Sequence, residues 1–176
     1  MCLTGGVIRE AQAADLTEMI TIERVAGEAF RHVGMASIAD DPPATVDELT
    51  AFLKSGKAWV FSDRSGAAVA YLLAERLDDR AHIEQVSVHP KNSRRGIGAA
   101  LIEKASRWSV ESDLNGLSLT TFTNVPWNAP YYTRLGFAEL PEIEWSAGIR
   151  HRVTVERSHG LHEWPRVVMV RGAAPR

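Results

Sequence analysis

HIEQVSVHPKNSRRGIGAALIEKASRW, residues 82–108, is the stretch whose reading decides the fold. Ile83 to Val88 predicts a strand carrying Ile83, Val86 and Val88. Pro90 has no N–H to give to a ladder, so pairing should stop near it. Beyond the basic loop, Ile97, Leu101, Ala105 and Trp108 recur at helical spacing. Glu103 and Arg107 lie one turn apart on the opposite, wet side. Arg94-Arg95-Gly96-Ile97-Gly98-Ala99 joins the two elements. A strand feeding a helix through such a turn aims several backbone N–H groups and the positive end of a helix at one spot, which suits a phosphate or pyrophosphate. The glycines let the backbone come close to an anion, and Lys91, Arg94 and Arg95 add charge. Taken alone, the glycine pair fits a plain helix start equally well. It is neither a Walker A loop, since no Gly-Lys-Ser/Thr follows, nor a dinucleotide fingerprint, since one glycine is missing.

A second stretch, NVPWNAPYYTRLGFAEL at residues 124–140, changes the balance. Together the two resemble the GCN5-related N-acetyltransferase (GNAT) superfamily. Its signature is a strand ending in an LAV-like triplet, a Gln/Arg-x-x-Gly-x-Gly/Ala loop, a long helix, a strand, and a short helix ending in Tyr-x-x-Leu-Gly-Phe. Here the triplet is Val86-Ser87-Val88, the loop Ser93-Arg94-Arg95-Gly96-Ile97-Gly98, and the close Tyr132-Thr133-Arg134-Leu135-Gly136-Phe137. Order and spacing match over about residues 82–140, and more weakly over nearly the whole chain. Ser93 departs from the usual Gln or Arg, which removes one side-chain contact and leaves the backbone cradle. The resemblance implies an α/β (α+β) GNAT fold over residues 1–176 as a single domain. It also implies a mixed, mostly antiparallel sheet of about six to seven strands flanked by helices on both faces, and acetyl-CoA as co-substrate.

Bulk properties agree. A chain of 176 residues with 45% hydrophobic content suits one compact domain with a sizeable core. A formal net charge of −2 argues against a general nucleic-acid binder. The one cysteine, Cys2, excludes an internal disulfide framework and a cysteine-built zinc site, and it fits a reducing, cytoplasmic setting. No metal is expected. No apolar run approaches the roughly 18 residues of a membrane span, and the first residues lack the features of a signal peptide.

Val7 to Ala11 reads as a first strand. Asp15 and Glu18 form a D-x-x-E capping pattern opening a helix to about Phe30, with Leu16, Met19, Ile20 and Phe30 inward. Glu23 and Glu28 on this helix either face water, or one of them lines a pocket for a cationic amine. Residues 31–44 read as an irregular loop in which Asp40 and Asp41 are solvated charges. Thr45 and Glu48 cap a short helix with Val46, Leu49, Phe52 and Leu53 inward and Gly56 as its stop. Ala58–Ser62 and Ala67–Leu77 are strands about an Asp63–Gly66 hairpin turn. Asn115-Gly116 ends the long helix, and Leu117–Phe122 is the next strand. Asn128 caps a short helix with Pro130 in its first turn, and Gly136 stops it. Residues 146–159 fit helix or strand by pattern; helix is favoured, with Gly160 as C-cap. Arg166–Arg171 closes as a strand, and the tail is expected to fray.

Acetyl transfer from a thioester to an amine requires the donor held, its carbonyl polarised, the amine deprotonated and the thiolate protonated. The resemblance implies that the backbone of Val86, Ser87 and Val88 pairs with the pantetheine arm. It also implies that Arg94, Arg95, Gly96, Ile97, Gly98 and Ala99 hold the pyrophosphate. Tyr132 matches the family's proton donor to the coenzyme A thiolate; a phenol's reference pKa of ~10 suits that task. Tyr131 and Trp127 read as core. For the base, His82 and Glu84 alternate onto one strand face, and His82 has a reference pKa of ~6.5. Gln85 stands where some members carry Glu and cannot act as a base. Asn124 and Asn128 are candidates to hydrogen-bond the donor, because the family's usual asparagine place is Val125 here. Asn128 as a simple helix cap is the competing role. Cys2 lacks any activating surroundings, and the family transfers the acetyl group without a covalent enzyme intermediate. The partners implied are acetyl-CoA and an amine acceptor, small molecule or protein. Neither nucleic acid nor membrane is implied, and a homodimer is compatible. The competing class is a non-catalytic acyl-CoA-binding sensor on the same fold.

Overall fold

The computed structural model describes residues 5–55 and 57–173. Its strands are β1 (Gly6–Glu10), β2 (Lys57–Asp63), β3 (Ala68–Leu77), β4 (Arg80–Val88), β5 (Leu117–Phe122), β6 (Ala138–Glu139) and β7 (Arg166–Arg171). Its helices are α1 (Leu16–Gly27), α2 (Ala36–Ala39), α3 (Val46–Ser55), α4 (Ile97–Glu111), α5 (Ala129–Arg134) and α6 (Ala147–Ser158). The strand order is β1-β2-β3-β4-β5-β7-β6. The chain forms two compact units, Met1–Glu75 with Glu84–Lys104, and Arg76–Ile83 with Ala105–Arg176.

In the first unit, β1 and β2 pair antiparallel, as do β2 and β3, with a register shift between Phe61 and Ser62. The apolar stripe of α1 (Leu16, Met19, Ile22) meets Leu49 of α3 and the strand residues Val60, Tyr71 and Leu73. Each side chain of that size is worth about 2 kcal/mol when fully buried, so this cluster fixes α1 on the sheet. Arg9 and Asp15 tie strand to helix through two parallel hydrogen bonds of 2.7 and 2.8 Å. The Arg9 hydrogen bonds hold the Asp15 carboxyl below the usual carboxylate range against the opposing effect of burial. A depressed folded-state pKa contributes stability above the unfolded value of about 3.9 and loses it as pH falls through the folded value. Asp15→Asn is expected to cost about 1 kcal/mol at neutral pH, the partly exposed Arg9 being screened by water. Its urea stability should fall less steeply than the wild type's below about pH 4.

In the second unit, β4 and β5 pair in parallel at Ala81–Leu117 and His82–Ser118. β7 pairs antiparallel with β5 over six residues and with β6 over two. Gly116, at φ +106°, leads into β5. A Cβ there would stand 2.2 Å from the Arg171 carbonyl oxygen and 2.6 Å from the Ala173 nitrogen. Gly116→Ala is expected to cost roughly 2 kcal/mol in backbone strain, read as a fall of about 4–8 °C in Tm. Asp78 holds the start of α6, accepting from the Ser146 hydroxyl and from the Gly148 N–H at 2.9 Å.

The sheet expectation holds, with seven strands, and so does the helical reading of residues 146–159. Gly160 takes the left-handed conformation at φ +84° just past that helix. The Thr45–Glu48 box forms on both sides: Glu48 accepts from the Thr45 N–H at 2.7 Å, and the Thr45 hydroxyl from the Glu48 N–H at 3.2 Å. The Asp15–Glu18 box does not form. Asp15 instead accepts from the Gln12 N–H at 2.8 Å, because its carboxylate is turned back to Arg9. The first helix tightens to a 3₁₀ turn over Glu28–Val33, and the expected loop holds the short α2. The long helix ends at Glu111, earlier than Asn115-Gly116, and Asp113 at φ +53° turns the chain. Val46 and Trp127, expected inside, are 51% and 40% exposed, each at the open entry of a short helix. Cys2 and Gly56 lie outside the described residues.

Candidate active site

Within the first unit, the basic turn opens α4 as its sequence requires. Pro90–Asn92 makes one 3₁₀ turn; Arg94 at φ +59° and Gly96 at φ +77° then swing the chain into the helix. The first backbone bond of α4 runs from the Ala100 N–H to the Gly96 carbonyl at 3.0 Å. Helix geometry therefore directs the N–H groups of Ile97, Gly98 and Ala99 out of the N-terminal end. Arg94, Arg95 and Gly96 are exposed beside them, and Ile97 is buried and anchors the turn. Fixed N–H donors, a positive helix end and two guanidinium groups suit a pyrophosphate.

The triplet strand leads into this turn. Ser87 is buried, Val86 and Val88 half-buried, and Glu84 exposed. The Gln85 amide donates to the Ser87 hydroxyl at 2.8 Å. The Tyr71 hydroxyl, on β3, donates to Glu23 Oε2 at 2.9 Å; burial raises its pKa, and the Ser87 and Gln85 side chains oppose that rise. Glu23 also accepts from the Ala44 N–H at 3.2 Å. Of the two glutamates left open on α1, Glu23 is thus half-buried in a polar cluster, while Glu28 is exposed and pairs with Arg31. Burial pushes the Glu23 carboxyl pKa up, opposed by the Tyr71 and Ala44 hydrogen bonds. Tyr71 carries little local signal in the sequence, a lone hydroxyl within the apolar run AVAYLLA.

Within the second unit, His82 is 1% exposed, with Nδ1 3.0 Å from the Ser118 hydroxyl. Burial, then the charge of Arg152, pushes its pKa down to about 3. A neutral, enclosed imidazole of such low basicity is poorly suited to take a proton from an ammonium. Asn124 is exposed and Val125 buried. Asn128 begins α5 by position, its carbonyl accepting from Tyr131 and Tyr132. Its side chain does not cap the helix and instead donates to the Thr121 hydroxyl at 2.8 Å. The buried Asn128 Oδ1 has no hydrogen-bond partner. Tyr132 is buried, its ring edge-on to Tyr131 and Phe137 at 5.6 Å each. Burial raises its pKa, so the phenol stays protonated across the neutral range. Tyr131 is half-buried, under the Arg134 guanidinium.

The sequence model of the Acetyltransferase (GNAT) family matches residues 21–137, well over half of the chain. The chain belongs to that family. The match runs from α1 through the Leu-Gly-Phe close, so it contains every site residue named above. The fold of this GNAT protein is shared by solved structures of low sequence identity. A GNAT-family acetyltransferase from Staphylococcus aureus Mu50 has TM-score 0.72 and 16% identity, covering 96% of this chain and 99% of that one. The ribosomal-protein-S18-alanine N-acetyltransferase from Escherichia coli has TM-score 0.66 and 17% identity, covering 97% and 96%. The PaiA N-acetyltransferase from Thermoplasma acidophilum, solved in complex with coenzyme A, has TM-score 0.68 and 11% identity, covering 96% and 99%.

Among the described residues, no helix is long and apolar enough to cross a membrane, and no group of three or more His, Cys, Asp or Glu is placed to hold a metal ion. The second unit also holds a cavity of about 170 Å³, lined in part by Trp145, Val153 and Trp164. At its wall Glu156 and Arg166 pair at 3.1 Å, and Thr120 bonds both.

Proposed function

We propose that this GNAT protein transfers an acetyl group from acetyl-CoA directly to a primary amine, on a small molecule or a protein. The observation that carries the reading is the open N-terminal end of α4, with Arg94 and Arg95 exposed beside the N–H groups of Ile97, Gly98 and Ala99. These groups bind the pyrophosphate. The backbone of Val86–Val88 aligns the pantetheine arm and polarises the acetyl carbonyl, and the orphan Asn128 Oδ1 accepts an amide N–H of that arm. Tyr132 stays protonated until charge develops on the departing sulfur, then supplies it with a proton.

Coenzyme A thiol release from purified protein and acetyl-CoA tests this, across polyamines, amino acids, aminoglycosides and peptides with free N-termini or lysines, against a no-acceptor blank. Acceptor-dependent release is expected. Tight acetyl-CoA binding with no release for any acceptor would favour the sensor reading instead.

A further inference from the structure

We propose that Glu23 is the group that takes the acceptor's proton, positioned by Tyr71 and by the Gln85–Ser87 pair. This rests on the acetyltransferase reading above. The geometry is a polar cluster between helix and triplet: Glu23 Oε2 accepts from the Tyr71 hydroxyl at 2.9 Å, Gln85 donates to Ser87 at 2.8 Å, and the Ser87 and Gln85 side chains act on the Tyr71 hydroxyl, favouring its ionised form against burial. The cluster includes the strand whose backbone holds the acetyl group in this reading. Its helix end is a carboxylate and its strand end an amide. The amide of Gln85 cannot accept a proton at neutral pH, so the cluster has one proton acceptor, at its α1 end. His82 is enclosed and of low basicity, and Glu84 stands exposed on the strand.

Glu23 has the properties a base requires. Half-burial raises its pKa above that of an ordinary carboxylate, toward the working range of a general base. The acidic groups facing it, Asp41 and Glu48, push the same way, while Tyr71 and the Ala44 N–H push back. The carboxylate form is held by two hydrogen bonds that do not depend on a ligand.

The acceptor enters as an ammonium and gives one proton to Glu23, which passes it to water. The freed nitrogen lone pair forms the N–C bond, and the C–S bond breaks with its electron pair on sulfur. The second nitrogen proton goes to Glu23 and from it to water, which restores the carboxylate, while Tyr132 protonates the sulfur and is reprotonated from water. Amide, thiol and one released proton are the products.

The test compares Glu23→Gln and Tyr71→Phe with wild type, using butylamine and spermidine as strongly basic acceptors and hydroxylamine as one already neutral at pH 7. Gln keeps acceptors for both hydrogen bonds, so the fold and the acetyl-CoA Kd should be unchanged. Glu23→Gln should lower kcat/KM for the basic amines about 10²-fold or more, lose the acid limb of the pH profile, and fall far less with hydroxylamine. Tyr71→Phe removes a hydrogen bond that favours the charged carboxylate. It should therefore move the acid limb to higher pH while keeping the plateau. Equal losses for basic and neutral acceptors would show a structural role and overturn the assignment. So would a Glu23→Gln enzyme with wild-type rate and pH profile, and both results leave the transferase reading intact. A wild type that binds acetyl-CoA and releases no thiol with any of the three amines overturns that reading, and this assignment with it.

Discussion

Gly98→Trp is expected to weaken acetyl-CoA binding by about 10³-fold. Gly98 lies in the first turn of α4, beside the exposed Arg94-Arg95-Gly96 turn. An indole there fills the space a pyrophosphate needs and screens the N–H groups of the helix end. Each charge-assisted hydrogen bond lost is worth about 1.5–3 kcal/mol, so two or three of them account for roughly 4 kcal/mol, or 10³-fold. Isothermal titration with acetyl-CoA reads this directly, with far-UV circular dichroism checking that α4 still forms. Retained tight binding would remove the basic turn from the donor site, and with it the observation on which the proposed function rests.

The second large effect is Tyr132→Phe. The substitution deletes one hydroxyl and keeps the ring that packs edge-on against Tyr131 and Phe137. Donor binding should stay within about threefold, since uniform binding is little changed. The rate kcat should fall about 10²-fold, the usual contribution of a positioned proton donor. Normal turnover would show that sulfur leaves without help from this phenol.

Much of this fold was legible because its signals were local. Pro90, the Arg94–Gly98 turn and the four-residue recurrence from Ile97 predict strand, turn and helix within 27 residues, and each element forms there. Arg166–Arg171 reads correctly because its valine-rich run lies between Pro165 and Gly172, and Leu117–Phe122 because Gly116 sets its start. The site was less legible. His82 has the right reference pKa for a base, but burial that no sequence period announces moves it to about 3. Asn128 reads as a cap; Thr121, seven residues back on β5, draws its side chain away. Glu23 is ambiguous in the sequence because its partner Tyr71 lies 48 residues along the chain. Such partnerships arise from tertiary placement, which propensity and spacing do not encode.

One feature of the sheet bears on how the protein is made. β7 is the last strand of the order in sequence, yet it lies between β5 and β6. Until Arg166–Arg171 has left the ribosome, β5 has no antiparallel partner on that side and β6 has no partner strand. The β5–β7 and β6–β7 pairs therefore wait for translation of Arg166–Arg171, whereas β1, β2 and β3, whose β1–β2 pairs close separations just as long, are all synthesised by Leu77. A nascent chain stalled before Arg166 presents an open strand edge, the kind of surface that holdase chaperones and aggregation compete for.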